Sequence, residues 1–436
     1  MREIPTRRSY LGQPVTVTAV NTWPWLLVSV TLIVVFVLDH LELWYIVAVP
    51  QGVYREAVSA SEHKSLFLDW HAVLAASDCK ALGYNPFISN PCDLGGRVHN
   101  YGGIWLYLGQ LGLTRTDFFW SALAFLVLPY VVSASFLLNP TRLSEFVLGL
   151  SLILSPASML GIERANIDIL IFAVLFAGAV LLVHQRLAIR ISGLGLYFLA
   201  AVSKLYPITA ALTAVVGAKS RRETLLIWSL VGFAFAAYLY SVRDQLLIVQ
   251  KTIPQPAPAE GLVFGAKLLF LHLNTIRSVP LLHVTNIEVT TAIAAALTLL
   301  ISLWLVRLIK WPAPLARLEA ACIVTGGSVL ALTFFVSSNY DYRCVFIIFT
   351  VPYLFRVARS GNLLQAWAAR ISLALSVYVM WAFGTHQAIL SLLTSKPHIA
   401  DWGQALSYLI EFTVTYALIA LLMSAIIGLG WHYWRE

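Results

Sequence analysis

Apolar runs of helix-spanning length recur from residue 23 to residue 430, and they constrain this chain more than any other feature. A helix needs about 20 apolar residues to cross a hydrocarbon core of roughly 30 Å. Backbone groups in lipid must satisfy one another, so such runs must be helical. Runs at 23–40, 117–138, 146–160, 167–184, 192–203, 206–217, 224–241, 287–309, 318–337, 344–357, 371–390 and 405–430 predict about twelve spans, several of them short. The pieces 192–203 and 206–217 read either as one span kinked at Pro207 or as two short helices, since proline removes a backbone donor. Only 11% of residues are charged, against roughly 25% in a soluble domain. The fold class expected is all-α integral membrane, a single polytopic domain over 1–436 with interfacial helices in its outer loops.

Basic residues set the orientation. Arg2, Arg7 and Arg8 precede the first run and no small-residue cleavage site follows it, which predicts an uncleaved span and a cytoplasmic N-terminus. The inner connections then hold Arg142, Arg186, Arg190, Lys219, Arg221, Arg222, Arg307, Lys310, Arg317, Arg356, Arg359 and Arg370. Two long outer loops remain, 41–116 and 242–286. This places the chain as a multi-pass protein of the cytoplasmic (inner) membrane. Its net charge of +8 suits anionic headgroups and phosphate sites, with the bilayer as partner and no nucleic acid.

Only Arg164, Lys204, Arg343 and Lys396 stand in short outer connections, against the positive-inside rule. Three of them lie in polar clusters: Glu163-Arg164-Ala165-Asn166-Ile167-Asp168, Lys204-Leu205-Tyr206-Pro207 and Asn339-Tyr340-Asp341-Tyr342-Arg343. Cations held at a bilayer surface need an anion, and a lipid phosphate is the one at hand. Arginine grips phosphate bidentately and lysine acts as a point charge. Taken singly, each cluster is also readable as helix capping by Asn166 or Asp168, or as snorkelling by Lys204.

The first long loop carries the remaining candidate chemistry. Over 66–76 the residues Leu66, Trp70, Val73 and Leu74 share one helical face, as in a helix lying on the membrane. Asp69 sits at the edge of that face, where partial desolvation is expected to raise its pKa toward that of a general base. His71 is about 200° round the helix from Asp69, which argues against a dyad, whereas His63 and His99 could approach the site. Asp93 and Arg97 are expected to pair, and with Asn100 to form loop scaffold. Cys79 and Cys92 share the loop and can form a disulfide if it is extracytoplasmic. Cys322 and Cys344 lie in apolar runs. No Cys/His cluster has zinc spacing, and the loop lacks an adjacent acidic pair, so no metal or other cofactor is expected.

The order of these motifs resembles a known family. A first-loop aspartate is followed by Gly83-x-x-Pro86-Phe87 and Asn100-Tyr101, then Glu163-Arg164-x-Asn166-x-Asp168, Lys204-Leu205-Tyr206-Pro207 and the late Asn339-Tyr340-x-Tyr342-Arg343 turn. Over about residues 60–360 this is similar to the polytopic polyprenyl-phosphate-mannose-dependent α-mannosyltransferases of the C-type glycosyltransferase superfamily. The resemblance implies that fold, with Asp69 as the catalytic base. It implies that Arg164 and Lys204 face the phosphate of a polyprenyl-phosphate-linked sugar, and that Asp341 and Arg343 complete a polar floor. Asn166, Asp168, Tyr206 and Tyr342 would belong to the same donor-binding set. The acceptor would be a lipid, glycan or protein, and the active site would face the periplasm or exterior. Where glycine is common in that family this chain has Ala165, a change expected not to disturb a helix start.

Two other classes compete. A transporter or flippase would bury ionisable groups at mid-membrane and often show repeats, whereas Asp39, Asp168, His184 and Glu411 lie near run boundaries and no repeat is visible. A polymerase or ligase using a lipid diphosphate would share the outer cations.

Overall fold

Seven helices in the computed structural model are long and apolar enough to cross a membrane, or eight if one bent pair counts as a span. The structure describes residues 21–41, 66–252, 263–275, 284–336, 339–393 and 397–435. Arg2, Arg7, Arg8, His63 and Lys396 lie outside the described residues. The chain opens with α1 (Trp23–His40) and then α2 (Leu68–Ala81) in the first loop. Next come α3 (Arg115–Leu138), the bent pair α4 (Leu143–Ile153) and α5 (Pro156–Arg164), and three shorter apolar helices. Those three are α6 (Ile167–Leu182), α7 (Leu187–Ser203) and α8 (Tyr206–Gly217). Further on are α9 (Arg221–Ser241), α10 (Arg243–Thr252), α11 (Leu268–Thr275) and α12 (Ile287–Ile309). The chain closes with α13 (Arg317–Val336), α14 (Val351–Ser360), α15 (Leu363–Leu393) and α16 (Pro397–Arg435). A two-residue antiparallel bridge sets Val263 opposite Tyr340 and Phe264 opposite Asn339.

Local sequence explains the breaks. Inside α3 a π-turn over Leu123–Val127 precedes Pro129, where the missing donor interrupts the i→i−4 ladder. α4 and α5 meet at 52°, because Ser155 caps α5 through the Ser158 N–H and Pro156 starts it. The two readings of 192–217 are resolved as two antiparallel helices. Arg190, near the start of α7, donates to the Gly217 carbonyl at the end of α8 (2.7 Å), so Lys204 sits at the tip of a hairpin. The break falls at Lys204, whose backbone is extended (φ −162°), and Pro207 then supports the first turn of α8.

α13 is the central helix, with 78% of its apolar window buried, whereas α9 and α12 bury only 6% and 17% and leave the rest facing outward. Helix association in lipid rests on close packing of small residues. α6 and α7 meet at such a contact, where a Cβ on Gly193 would sit 2.8 Å from the Gly178 carbonyl. Gly326 likewise lets α13 approach the 3-10 helix Asp341–Thr350, whose Phe346 stacks with Phe172 of α6 while Phe349 packs tilted against it. These rings form an aromatic layer against which Tyr206 packs edge-on to Phe346.

The first loop folds onto one end of this bundle. α2 differs from the expected surface helix: nine of its fourteen residues are buried, Asp69 and His71 among them. The reason is a cover formed by the 3-10 helix Gly103–Leu111, joined to α2 where Ser77 Oγ meets the Leu106 carbonyl and the Gly109 N–H. Trp70 Nε1 donates to Ser121 Oγ of α3 (2.8 Å), and the Phe67 N–H donates to the Glu163 carbonyl at the end of α5 (2.6 Å). At the α7 tip, the Gly102 N–H and Trp105 Nε1 both donate to the Ser203 carbonyl. Cys79 and Cys92 are joined by a disulfide, with Cα atoms 5.7 Å apart, while Cys322 and Cys344 are free and buried.

Two stability predictions follow from this docking. A Cβ on Gly102 would sit 1.9 Å from the Val202 carbonyl, an approach that backbone cannot yield. Gly102→Ala should therefore undock the loop, lowering the melting temperature by several degrees and raising hydrogen exchange over 66–111; unchanged exchange would contradict it. The disulfide closes a loop of about 15 residues, worth about 3 kcal/mol in the chain-entropy model. Replacing both cysteines by serine should lower thermal stability, and the denatured, unreduced protein should titrate two thiols rather than four.

Candidate active site

The turn between α5 and α6 is where the first cluster becomes geometry. The Asn166 N–H bonds the Gly161 carbonyl and the Ala165 N–H bonds that of Ile162, the two closing bonds of a Schellman turn. Ala165 occupies its left-handed position (φ 42°), so it is a helix end, not the helix start expected, and a glycine preference there has a steric reason. Asn166 then serves twice. Its side-chain oxygen caps α6 by accepting from the Asp168 N–H (3.0 Å), while its amide nitrogen donates to Asp69 Oδ2 (2.7 Å).

Asp69 is the hub of the arrangement. Arg164 grips it bidentately, Nε to Oδ2 at 3.0 Å and Nη2 to Oδ1 at 2.8 Å. Arg97 adds Nη1 to Oδ1 at 3.3 Å. Arg97 is itself fixed by Asp93 through Nε and Nη2, both at 3.0 Å, and by the Leu68 carbonyl at 2.7 Å. It is thus more than the local scaffold expected, because it ties the 93–97 turn to the hub.

A second carboxylate lies beside the first. Asp168 is fully buried and accepts from Lys204 Nζ (2.5 Å) at the hairpin tip and from Arg343 Nε (3.3 Å). Lys204 Nζ also lies 3.4 Å from Asn166 Oδ1, which links the two carboxylates through one asparagine. Aromatic rings surround these cations. Lys204 Nζ is 5.1 Å from the Tyr101 ring centre and 5.5 Å from that of Tyr342, and the Arg343 guanidinium is 4.5 Å from that of Tyr206.

Electrostatics corrects one expectation directly. Burial alone would raise the Asp69 carboxyl, but Arg164, Arg97 and the Asn166 amide outweigh it and hold the pKa below its ordinary value. Asp93 behaves likewise: burial is overcome by His71 and Arg97, and its pKa is lowered. His71 Nδ1 lies 3.5 Å from Asp93 Oδ1, so this histidine faces Asp93 and makes no dyad with Asp69. Burial lowers His99 to about 4, leaving it a neutral ring packed on Phe87 and Tyr101.

No protein-family model, curated protein or solved structure matches this chain. Its functional reading therefore rests on its own residues.

Of the residues singled out in the sequence, Asp69, Arg164, Asn166, Asp168, Lys204, Tyr206, Tyr342 and Arg343 come together, with Arg97 and Asp93 behind them. Two do not join. Asp341 is buried, pairs with none of these cations among the described residues, and has Glu411 of α16 as its ionisable neighbour. A 3-10 helix turns about 120° per residue, which sends residues 341 and 343 to different sides. Asn100 is exposed. Tyr101 is the residue that sequence reasoning gave no role, although its hydroxyl lies 3.3 Å from the Asn166 amide; its place directly after Asn100 in the family-like motif was the available signal. Among the described residues no group of three His, Cys, Asp or Glu side chains could hold a metal ion.

The lowered carboxyls give a pH prediction. Asp69 and Asp93 have lower pKa values folded than unfolded, so the folded protein binds fewer protons. Their stabilisation is present above about pH 4 and is lost as pH falls through the folded values. The melting temperature should hold from neutral pH down to about pH 5 and fall below about pH 4. Asp93→Asn should lower the plateau and flatten that fall; an equally steep fall would contradict the assignment.

Proposed function

We propose that this protein is an inverting glycosyltransferase that takes a sugar, mannose or another hexose, from a polyprenyl monophosphate. It passes that sugar to a lipid, glycan or protein acceptor at the outer face of the membrane. The observation that carries the reading is the convergence of Arg164, Lys204 and Arg343, from three separate turns, on one buried end of the helix bundle beneath the first loop. Around it we infer a bundle of about twelve crossings, in which α6, α7, α8 and the 341–360 segment add short ones, similar to the C-type glycosyltransferases.

The chemistry is balanced as follows. Asp69 takes the proton of the acceptor hydroxyl while that oxygen bonds the anomeric carbon from the face opposite the phosphate. The bond from that carbon to the phosphate oxygen breaks, and the lipid phosphate leaves with the electron pair. Preorganised cations stabilise charge where it develops: Arg164 and Arg343 by their planar forks, Lys204 as a point charge.

The test is sugar transfer from a radiolabelled polyprenyl-phosphate hexose by purified protein in lipid nanodiscs. Arg164→Ala and Arg343→Ala should each lose about 2–5 kcal/mol of donor binding, and Lys204→Ala a similar or smaller amount. Asp69→Asn should lower turnover at least ~100-fold while still binding donor. Full transfer by all four variants would refute the assignment.

A further inference from the structure

At the opposite end of the bundle, where the basic connections lie, α8, α9, α13 and α16 enclose a cavity of about 320 Å³. Its walls are apolar: Leu212 of α8, Trp228 of α9, Val324 of α13, and Ile426, Trp431 and Trp434 of α16. The Trp228 Nε1 donates to the Ala211 carbonyl (2.9 Å), and its ring lies within 5° of parallel to that of Trp434, 6.1 Å away. Leu212 and Trp431 are exposed and so stand at the mouth, which opens toward lipid beside the outward-facing α9. Gly430 also lines the cavity, and a Cβ built on it would meet nothing within 4 Å.

Apolar walls exclude water. Helices in lipid associate through close packing, so a cavity of this size forfeits dispersion contacts unless an apolar chain fills it. The rim identifies the molecule that supplies the chain. The Arg435 guanidinium lies 4.7 Å from the Trp431 ring centre and that of Arg221 lies 6.0 Å from the Trp434 ring centre. Arg221 donates to the main-chain carbonyls of Trp434 and Arg435, which hold the side chain without neutralising it. Lys219 and Arg222 are exposed beside it. Glu223, the acidic residue among them, is already engaged by Arg190 Nη2 (2.6 Å) and the Lys219 N–H (2.7 Å). Among the described residues, none of the side chains of Lys219, Arg221, Arg222 and Arg435 pairs with a carboxylate; Glu436 lies outside those residues.

We propose that this cavity binds one anionic phospholipid of the adjoining leaflet. An acyl chain enters between Trp228, Trp431 and Trp434, and the phosphate rests against Arg221 and Arg435, flanked by Lys219 and Arg222. A zwitterionic lipid offers the same chain but brings its own cation, so the rim selects against it. The bound lipid bridges the α8–α9 connection to the end of α16, and its occupancy stabilises the fold by mass action. The site is remote from Asp69 and stands independently of the function proposed above.

The experiment titrates delipidated full-length protein in detergent with palmitoyl-oleoyl phosphatidylglycerol or palmitoyl-oleoyl phosphatidylcholine, counts bound lipid by native mass spectrometry and follows the melting temperature. One phosphatidylglycerol should bind at least about tenfold more tightly than phosphatidylcholine and raise the melting temperature, since each basic residue near an anionic headgroup contributes about fivefold. Arg222→Gln with Arg435→Gln, which leaves the Arg221 clamp intact, should cost about tenfold in phosphatidylglycerol affinity and little in phosphatidylcholine affinity. Gly430→Leu, which fills the cavity and spares the rim, should weaken both lipids at least about tenfold, because excluding two methylenes already costs that much. Should Gly430→Leu not fold, Leu212→Trp at the mouth carries the same comparison. Equal affinity of the wild type for the two lipids overturns the proposal. Unchanged phosphatidylglycerol binding in a folded cavity-filling variant also overturns it, by placing the lipid on the outer surface. A second copy of the chain bound in place of lipid, and lost in Gly430→Leu, overturns it in favour of a protein partner.

Discussion

The ion pair between Asp69 and Arg164 joins residues 95 positions apart, and the architecture of this end of the molecule depends on it. A carboxylate taken out of water costs several kcal/mol unless its charge and lone pairs are met. Asp69 meets them with a bidentate arginine, a second arginine and an amide. Those donors come from the first loop and from the α5–α6 turn, so the loop cannot dock without completing the turn. Asp168 does the same for the α7–α8 hairpin and the 341–350 helix. The polar core therefore assembles as a unit.

The surroundings of the cluster are stiff. Beneath it lie the Phe172, Phe346 and Phe349 rings and the close-packed α6–α7 glycines. Above it lies a loop closed by a disulfide and held to the α7 tip through the Ser203 carbonyl. Functional groups held at helix ends keep their spacing better than groups on free loops. The opposite ends of the helices carry pairs of another kind. Arg190 with Glu223, Arg356 with Glu319 and Arg359 with Glu145 tie neighbouring helices near the basic connections and gather at no single point. The contrast between convergent and dispersed pairing distinguishes a site from anchorage.

Much of this was legible in one dimension, for reasons that are local. Hydropathy alone set the seven long helices, because lipid leaves an apolar run no alternative to a helix. Asn166 as a cap and the Asp93–Arg97 pair each depend on residues within a few positions of one another. Cations in short connections against the prevailing charge pattern singled out Arg164, Lys204 and Arg343 before any contact was known.

The remainder was decided by distance through space. The sequence marked Asp69 but pointed its pKa the wrong way, because desolvation can be read from an apolar neighbourhood whereas Arg164 and Arg97 arrive from 95 and 28 residues away. α2 read as a surface helix because its cover, the Gly103–Leu111 segment, is a tertiary partner. Whether 192–217 was one span or two turned on a bond between Arg190 and Gly217. Asp341 and Arg343 looked like one group until the 3-10 geometry separated them. Chain composition and local pattern therefore determined that this protein is a helical membrane protein and which polar residues are out of place in it. Only the fold decided which of those residues face one another, since in a low-dielectric interior a charge is defined by the partner that reaches it.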